Sequence, residues 1–323
     1  MMYETIKNLY SQFEFEPVVE NQDRLKKFDK FIVVGMGGSH LAADLIKTWR
    51  PSTAMITHED YGLPGMAENV FQNALVILSS YSGNTEEVLA SYEMAGERGF
   101  ARAAISIGGK LLKRAKEDGV PYVQIPDTGI QPRSALGFMF KGLLKLMGEE
   151  EAVREVGELH KSFHPEEYEE KGKKLAEKIK GYVPLIYAST KNEGIAKNWR
   201  VRFHETAKIP SYYDVFPELN HNEMTSFDVV DSTRLLAEKF HFIFLKDLED
   251  QPQTLKRMEI TEKLYRERGL PVEIVELGGQ SELHKIFGAI SLADWTAYYL
   301  AKHYGTDPEE VPMVEEFKGL VQK

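Results

Sequence analysis

The sequence predicts an α/β protein of two tandem domains, each a doubly wound parallel sheet with helices on both faces. Three observations support this prediction. The chain has 323 residues, roughly twice the length of a common domain. Short β-branched runs alternate with segments of helical apolar spacing, as in βαβ units with parallel sheets. Its hydrophobic fraction of 42% supplies apolar material for two cores.

The first predicted domain covers residues 1–150. Five apolar runs bounded by Gly, Pro or polar residues indicate strands: 31–34, 53–57, 74–79, 103–107 and 120–125. Helical spacing is found at 39–50, 84–98, 110–118 and 134–147. Five strands with crossover helices complete one doubly wound sheet.

The second predicted domain covers residues 151–323. Residues 148–181 are rich in Glu and Lys, which indicates one or two solvated helices joining the two halves. Strands are then predicted at 183–188, 240–245 and 272–275, and helices at 192–206, 252–268 and 282–303. The order of strands and helices therefore repeats that of the first half.

Composition excludes several functional classes. The formal charge of −10 argues against nucleic acid or an anionic membrane as the main partner. The absence of Cys removes disulfides, Cys-based zinc sites and thiol nucleophiles. Neither a signal peptide nor an apolar run of about 18 residues is present. We therefore expect a cytoplasmic protein.

A glycine-rich loop, VGMGGSH at residues 34–40, follows the first strand. It lies where ligands bind in open α/β sheets. A dinucleotide fingerprint would need a third glycine where His40 stands, and the acid expected about 20 residues on is late, at Glu59 or Asp60. The match to a nicotinamide-binding loop is therefore partial, and a plain strand–helix turn remains an alternative.

A hydroxyl-rich loop follows the third strand and opens a helix. It carries Ser80, Ser82, Asn84 and Thr85 within six positions. N-capping is the simplest explanation for one such residue, but it does not explain all of them. Side-chain hydroxyls beside free backbone N–H groups form a site for a phosphate monoester. The loop thus favours a phosphorylated small molecule over a dinucleotide.

These two loops together resemble the sugar isomerase (SIS) domain, a flavodoxin-like fold. The rest of the chain is similar to the small bifunctional phosphoglucose/phosphomannose isomerases of archaea and some bacteria. The segments that carry this similarity are QPR at 131–133, RFHETAK at 202–208, PELNHNE at 217–223, GTDP at 305–308 and FK at 317–318. The resemblance implies interconversion of glucose 6-phosphate, and of mannose 6-phosphate, with fructose 6-phosphate. It implies no cofactor and no metal.

The resemblance also implies roles for individual residues. Glu205 matches the base, Arg133 the cation near the reacting carbons, and His221 and Lys318 the groups that assist ring opening. The phosphate-binding positions it implies are Gly38, Ser39, Ser80, Ser82 and Thr85. In relatives the histidine reaches the site from a neighbouring subunit, so we expect a homodimer that shares His221 across its interface.

Without the resemblance, these residues have ordinary interpretations. Helical geometry places Glu205 about 120° around from Trp199, off the apolar stripe, as a surface carboxylate. His221 could be a loop histidine bonded to backbone, Lys318 a solvated lysine and Arg133 a surface arginine. Metal binding is not indicated, because adjacent helical residues such as His204 and Glu205 diverge by about 100°.

Two other functions remain open. A non-catalytic SIS module that senses a sugar phosphate would keep the hydroxyl-rich loop but lose Glu205, His221 and Lys318 together. A nicotinamide-dependent oxidoreductase ranks third. Specificity is less settled, because Val311 stands where bifunctional relatives have Thr. Valine leaves space for the mannose epimer but lacks the hydroxyl.

Overall fold

The computed structural model describes residues 1–321, which form two compact units. The first unit is Lys7–His164, and the second joins Met1–Ile6 to the chain from Pro165 onward. The division thus falls inside the Glu/Lys-rich stretch, beyond residue 150, because the helices that follow residue 150 pack on the first unit. The N-terminal helix belongs to the second unit, where Met2 and Ile6 pack against Trp295.

The first unit contains a six-stranded sheet. Its strands are β1 (Val19–Glu20), β2 (Lys30–Gly35), β3 (Ala54–His58), β4 (Leu75–Ser79), β5 (Arg102–Ser106) and β6 (Tyr122–Gln124). Their order is β1-β6-β5-β4-β2-β3. Strand β1 runs antiparallel to β6, and the other neighbours are parallel. The five predicted strands and the doubly wound fold are confirmed, with a short edge strand added.

Helices flank this sheet. They are α2 (Leu41–Trp49), α3 (Glu68–Gln72), α4 (Glu86–Glu97), α5 (Gly109–Asp118), α6 (Leu136–Leu146), α7 (Glu150–Gly157) and α8 (Leu159–Ser162). Strand residues such as Ile32 and Val76 pack with helix residues such as Tyr92 and Leu112 in one buried cluster. Burial of this apolar surface is what holds the layers together.

The second unit contains a four-stranded, all-parallel sheet. Its strands are β7 (Val183–Ser189), β8 (Tyr212–Phe216), β9 (Phe240–Asp247) and β10 (Val272–Leu277). Their order is β10-β9-β7-β8. An aromatic cluster that includes Tyr187, Phe216, Phe227, Phe242 and Tyr265 packs on this sheet.

The helices of the second unit are α1 (Met2–Lys7), α9 (Glu169–Ile179), α10 (Glu193–Arg202), α11 (Glu223–Ser226), α12 (Arg234–Ala237), α13 (Pro252–Glu267), α14 (Glu282–Tyr304) and α15 (Pro312–Val321). A π-helical turn, Phe203–Ala207, continues α10. Within residues 1–321, no helix combines the length and the hydropathy needed to cross a membrane.

Candidate active site

The two loops singled out in the first unit follow adjacent strands. The 3-10 turn Gly37–Ser39 follows β2, and residues 80–85 follow β4. Strands β2 and β4 pair in parallel, with Gly35 opposite Ser79. The chain passes from β2 to β3 on one side and then crosses over to β4 on the other side of β2. Both loops therefore lie at a topological switch point, the usual ligand position in such sheets.

Ser39 joins the two loops. Its hydroxyl oxygen accepts a hydrogen bond from the backbone N–H of Tyr81 at 2.9 Å, and its carbonyl accepts one from Ser79 Oγ at 2.6 Å. Because the hydroxyl oxygen is used as an acceptor, its O–H can still donate. Ser39 is buried. Its two hydrogen bonds fix the separation of the loops, and its O–H remains a donor for a ligand.

The hydroxyls of the second loop are not helix caps. Thr85 stands at the N-cap of α4, yet its side chain makes no capping hydrogen bond. Instead, its Oγ1 lies 2.8 Å from Ser80 Oγ, which also accepts from the backbone N–H of Gly83 at 3.1 Å. Ser82 is exposed. The start of α4 thus keeps its free N–H groups for an anion.

Two glycines in these loops leave no room for a side chain. A Cβ added at Gly38 would lie 2.6 Å from the backbone nitrogen of Arg133. Gly83 has φ +70°, and a Cβ there would overlap the carbonyl oxygen of Gly108. Glycine is therefore required at 38 by close approach and at 83 by both close approach and conformation.

Arg133 lies beside Gly38 in the 3-10 turn Pro132–Ser134. Its side chain is only 1% exposed, so the interpretation as a surface arginine is wrong. A guanidinium stays charged at any physiological pH, and a buried charge is retained where anionic or polar groups meet it. The structure therefore brings together Gly38, Ser39 and Arg133 on one side of the switch point.

Glu205 lies in the π-helical turn Phe203–Ala207, at the end of α10. It is half-buried between the buried residues Phe203 and Thr206. Glu205 is therefore less exposed than a fully solvated surface carboxylate, and the prediction from periodicity assumes α-helical angles that a π turn does not have. Single π turns inside helices are frequent at functional sites.

Lys208 ties this turn to the segment before α15. It has φ +59° and ends the π turn, and its Nζ donates to the carbonyl oxygens of Glu205 at 2.6 Å and Asp307 at 2.7 Å. The backbone that carries Glu205 is therefore anchored to the GTDP segment at residues 305–308.

His221 ends the 3-10 turn Glu218–His221, just beyond β8. It is exposed, and no hydrogen bond or ion pair within residues 1–321 involves its ring. Its neighbours are engaged elsewhere: Asn220 donates to Thr261 Oγ1 at 2.9 Å, and Asn222 caps α11. The interpretation as a backbone-bonded loop histidine therefore finds no hydrogen bond to support it.

Lys318 lies on α15, where it pairs with Glu315 at 2.7 Å. None of the described residues of this helix is buried. Its exposed residues include large apolar side chains, with Met313 81% and Phe317 65% exposed. An exposed apolar helix face of this kind marks an interaction surface. Lys318 and His221 are both exposed and belong to the second unit.

One titratable residue of the PELNHNE run was not singled out by the sequence analysis. Burial, and next a hydrogen bond with Asp214, raise the pKa of Glu223 to about 8. Its place two residues after His221 is the only sequence signal that could have drawn attention to it. Within residues 1–321, no group of three or more metal-ligating His, Asp or Glu side chains is present.

Comparison with known proteins extends the similarity over the full chain. The family model described as bacterial phospho-glucose isomerase C-terminal SIS domain matches residues 168–321. A bifunctional phosphoglucose/phosphomannose isomerase of Aquifex aeolicus is 32% identical over 100% of this chain and 98% of its own. One from Caldicellulosiruptor bescii is 34% identical over 98% of each chain.

Solved structures show the same fold. The C-terminal domain of glucosamine-fructose-6-phosphate aminotransferase from Francisella tularensis superposes with a TM-score of 0.67 at 14% identity, covering 96% of both chains. The two sheets, parallel except at the edge strand β1, the hydroxyl-rich loop at a switch point and the matching family model define a protein of the SIS class. Within that class, the sequence identities over the full chain indicate one family. The chain belongs to the family of bifunctional phosphoglucose/phosphomannose isomerases.

Proposed function

We propose that this chain interconverts glucose 6-phosphate and mannose 6-phosphate with fructose 6-phosphate through an enediolate. The observation that carries the proposal is the full-length similarity to bifunctional isomerases. The hydroxyl-rich loop supports it, because Thr85 makes no capping hydrogen bond to the helix that it begins and Ser82 is exposed.

In this proposal the phosphate binds the first unit's loops. The hydroxyls of Ser39 and Ser82 donate to phosphate oxygens. Those of Ser80 and Thr85, which share a hydrogen bond, offer one further donor between them, and the N–H groups at the start of α4 add the positive end of a helix dipole. Gly38 contributes its backbone to this site and, because it has no side chain, lets the turn that carries Arg133 pack against the loop. Hydrogen bonds to a charged group are worth about 1.5–3 kcal/mol each, so this set suffices without a cluster of lysines.

The chemical step is a proton transfer between neighbouring carbons. After His221 and Lys318 assist ring opening, Glu205 takes the C2 proton of the open-chain aldose, which leaves an enediolate. It then returns the proton to C1, while the hydroxyl proton moves from O2 to O1. Arg133 supplies the positive charge that stabilises the enediolate.

We also propose that the active protein is a homodimer in which His221 serves the partner's site. Two observations support this: the ring of His221 has no hydrogen bond or ion pair among the described residues, and the apolar side chains of α15 are exposed. A two-fold interface would place two identical shared sites at the contact.

A coupled assay tests the activity directly. Wild-type protein is supplied with glucose 6-phosphate or with mannose 6-phosphate, and fructose 6-phosphate formation is followed in each case. Turnover of both substrates is expected. Turnover of neither would overturn the proposal, and turnover of glucose 6-phosphate alone would limit it and assign the loss to a position such as Val311.

Subunit exchange tests the shared histidine. Inactive Glu205→Gln and His221→Ala proteins are mixed in equal amounts and allowed to exchange. In a heterodimer one site carries both substitutions and the other carries neither. Because about half of the dimers are then heterodimers, about a quarter of the wild-type site activity should return. No recovery, with exchange verified by differential labelling, would place His221 in its own chain's site.

A further inference from the structure

A carboxyl group two residues after His221 connects the histidine turn to the sheet. Glu223 begins α11, and its Oε1 accepts a hydrogen bond from Tyr187 Oη at 2.8 Å. Asp214 is paired with Tyr187 across the parallel strands β7 and β8, and a hydrogen bond with Asp214 contributes to the raised pKa of Glu223. Tyr187 lies on β7 and Asp214 on the adjacent strand β8, so one side chain holds the end of the PELNHNE run against two strands.

Two carboxyl groups in contact cannot both be ionised without strong repulsion. With one proton between them, every group is satisfied: one oxygen of Glu223 accepts from Tyr187, and the protonated oxygen donates to the Asp214 carboxylate. Burial raises the pKa of Tyr187 far above its ordinary value, so the phenol remains a donor throughout the range of interest.

The surroundings supply no cation to replace that proton. Behind Tyr187, Tyr265 of α13 places its hydroxyl 3.3 Å from the Tyr187 hydroxyl. The nearby arginines of this helix and its end serve other groups: Arg257 donates to Asn220 at 3.3 Å, and Arg268 pairs with Asp228 at 2.7 Å. Within residues 1–321, no lysine or arginine forms an ion pair with Glu223.

We propose that Glu223 is a positioning residue that, through a proton shared with Asp214, holds the turn carrying His221 against β7 and β8. The inference rests on the proposed role of His221 in ring opening. Ionisation of the second carboxyl leaves two negative charges in contact, which loosens the turn and removes the histidine from its working position.

The pH profile of Glu223→Gln tests this directly. Glutamine imitates the protonated acid at every pH, because its amide donates to Asp214 and its oxygen accepts from Tyr187. The kcat of the wild type should fall about tenfold between pH 7 and pH 9, as expected when a required acid with a pKa of about 8 ionises. The Glu223→Gln profile should lack this fall.

Two further variants complete the set. Asp214→Asn removes one of the two charges and keeps a donor to Glu223, so it should also lack the alkaline fall. Glu218→Gln is the matched control: Glu218 is exposed on the same turn and bonded to Asn222, and its variant should retain the fall. If Glu223→Gln and Asp214→Asn both keep the wild-type profile, the proposal is overturned.

A measurement independent of catalysis separates this inference from the proposed function. Backbone hydrogen exchange of residues 218–226 is compared at pH 7 and pH 9 after correction for the intrinsic rate. Exchange should accelerate at pH 9 in wild type and not in Glu223→Gln. Equal acceleration in both would overturn the shared-proton account. Inactivity toward both sugar phosphates, together with the expected exchange difference, would overturn the proposed function and leave the positioning of the turn supported.

Discussion

Substituting Gly83 by Ala should damage both stability and substrate binding, whereas the same change at Gly99 should affect stability alone. Both glycines have left-handed backbones, with φ +70° and +67°. A left-handed alanine costs about 1–2 kcal/mol. An added Cβ meets nothing within 4 Å at Gly99, but it meets the backbone of Gly108 at Gly83.

The obstacle at Gly83 is a carbonyl group, which cannot rotate aside as a long side chain could. Overpacking of this kind costs about 1–3 kcal/mol. Gly83→Ala should therefore lower the free energy of unfolding by about 2–5 kcal/mol, and Gly99→Ala by about 1–2 kcal/mol. Urea denaturation of the two variants and the wild type, followed by circular dichroism, measures the difference.

A shift of the backbone at Gly83 should also move the neighbouring hydroxyls of Ser82 and Thr85 out of line with the N–H groups at the start of α4. Losing one hydrogen bond to a charged phosphate costs about 1.5–3 kcal/mol, which corresponds to roughly a tenfold or larger rise in the Kd for a sugar phosphate. Gly99→Ala should leave that Kd within about twofold. An unchanged Kd in Gly83→Ala would refute the assignment of this loop to phosphate, and equal destabilisation of the two variants would refute the steric argument.

Two further predictions follow from the structure. Removing the hydroxyls of Ser82 and Thr85 together should weaken sugar-phosphate binding by about 10²-fold in titration calorimetry while shifting stability by no more than a helix cap, about 1 kcal/mol; equal binding would instead favour a structural role. Burial lowers the pKa of His241 to about 4, so the unfolded chain takes up a proton between pH 6.5 and 4 that the folded chain does not. This histidine should therefore lower the free energy of unfolding by up to about 3 kcal/mol as pH decreases across that window, and His241→Phe should remove this contribution to the slope in urea titrations.

The strands that the sequence predicts best are those buried on both faces. Strands β2, β4 and β5 are continuous apolar runs because helices cover both sides of the sheet. By contrast, β8 is an edge strand whose residues are mostly partly exposed, so it lacks both a buried run and a clean alternation. The two-residue strand β1 is too short to leave a pattern.

The local setting of the candidate residues could not be read from periodicity. Glu205 departs from its expected exposure because Phe203–Ala207 winds as a π turn, which shifts side-chain directions relative to an α-helix. Arg133 is buried in a turn whose backbone packs against Gly38, a contact between residues distant in sequence. Glu223 depends on Asp214 and Tyr187 of two strands, and only the folded sheet brings them together.

The most direct test of the account is the isomerisation of glucose 6-phosphate in D₂O by wild type, Glu205→Gln and Glu193→Gln. Glu193 is an exposed carboxylate on the same helix, α10, and serves as the matched control. Wild type and Glu193→Gln should form fructose 6-phosphate carrying solvent deuterium at C1. Glu205→Gln should lose at least about 10²-fold in kcat with little change in KM, because a general base contributes that much. Turnover close to wild type in Glu205→Gln, with deuterium still incorporated, would contradict the central claim that Glu205 moves the proton.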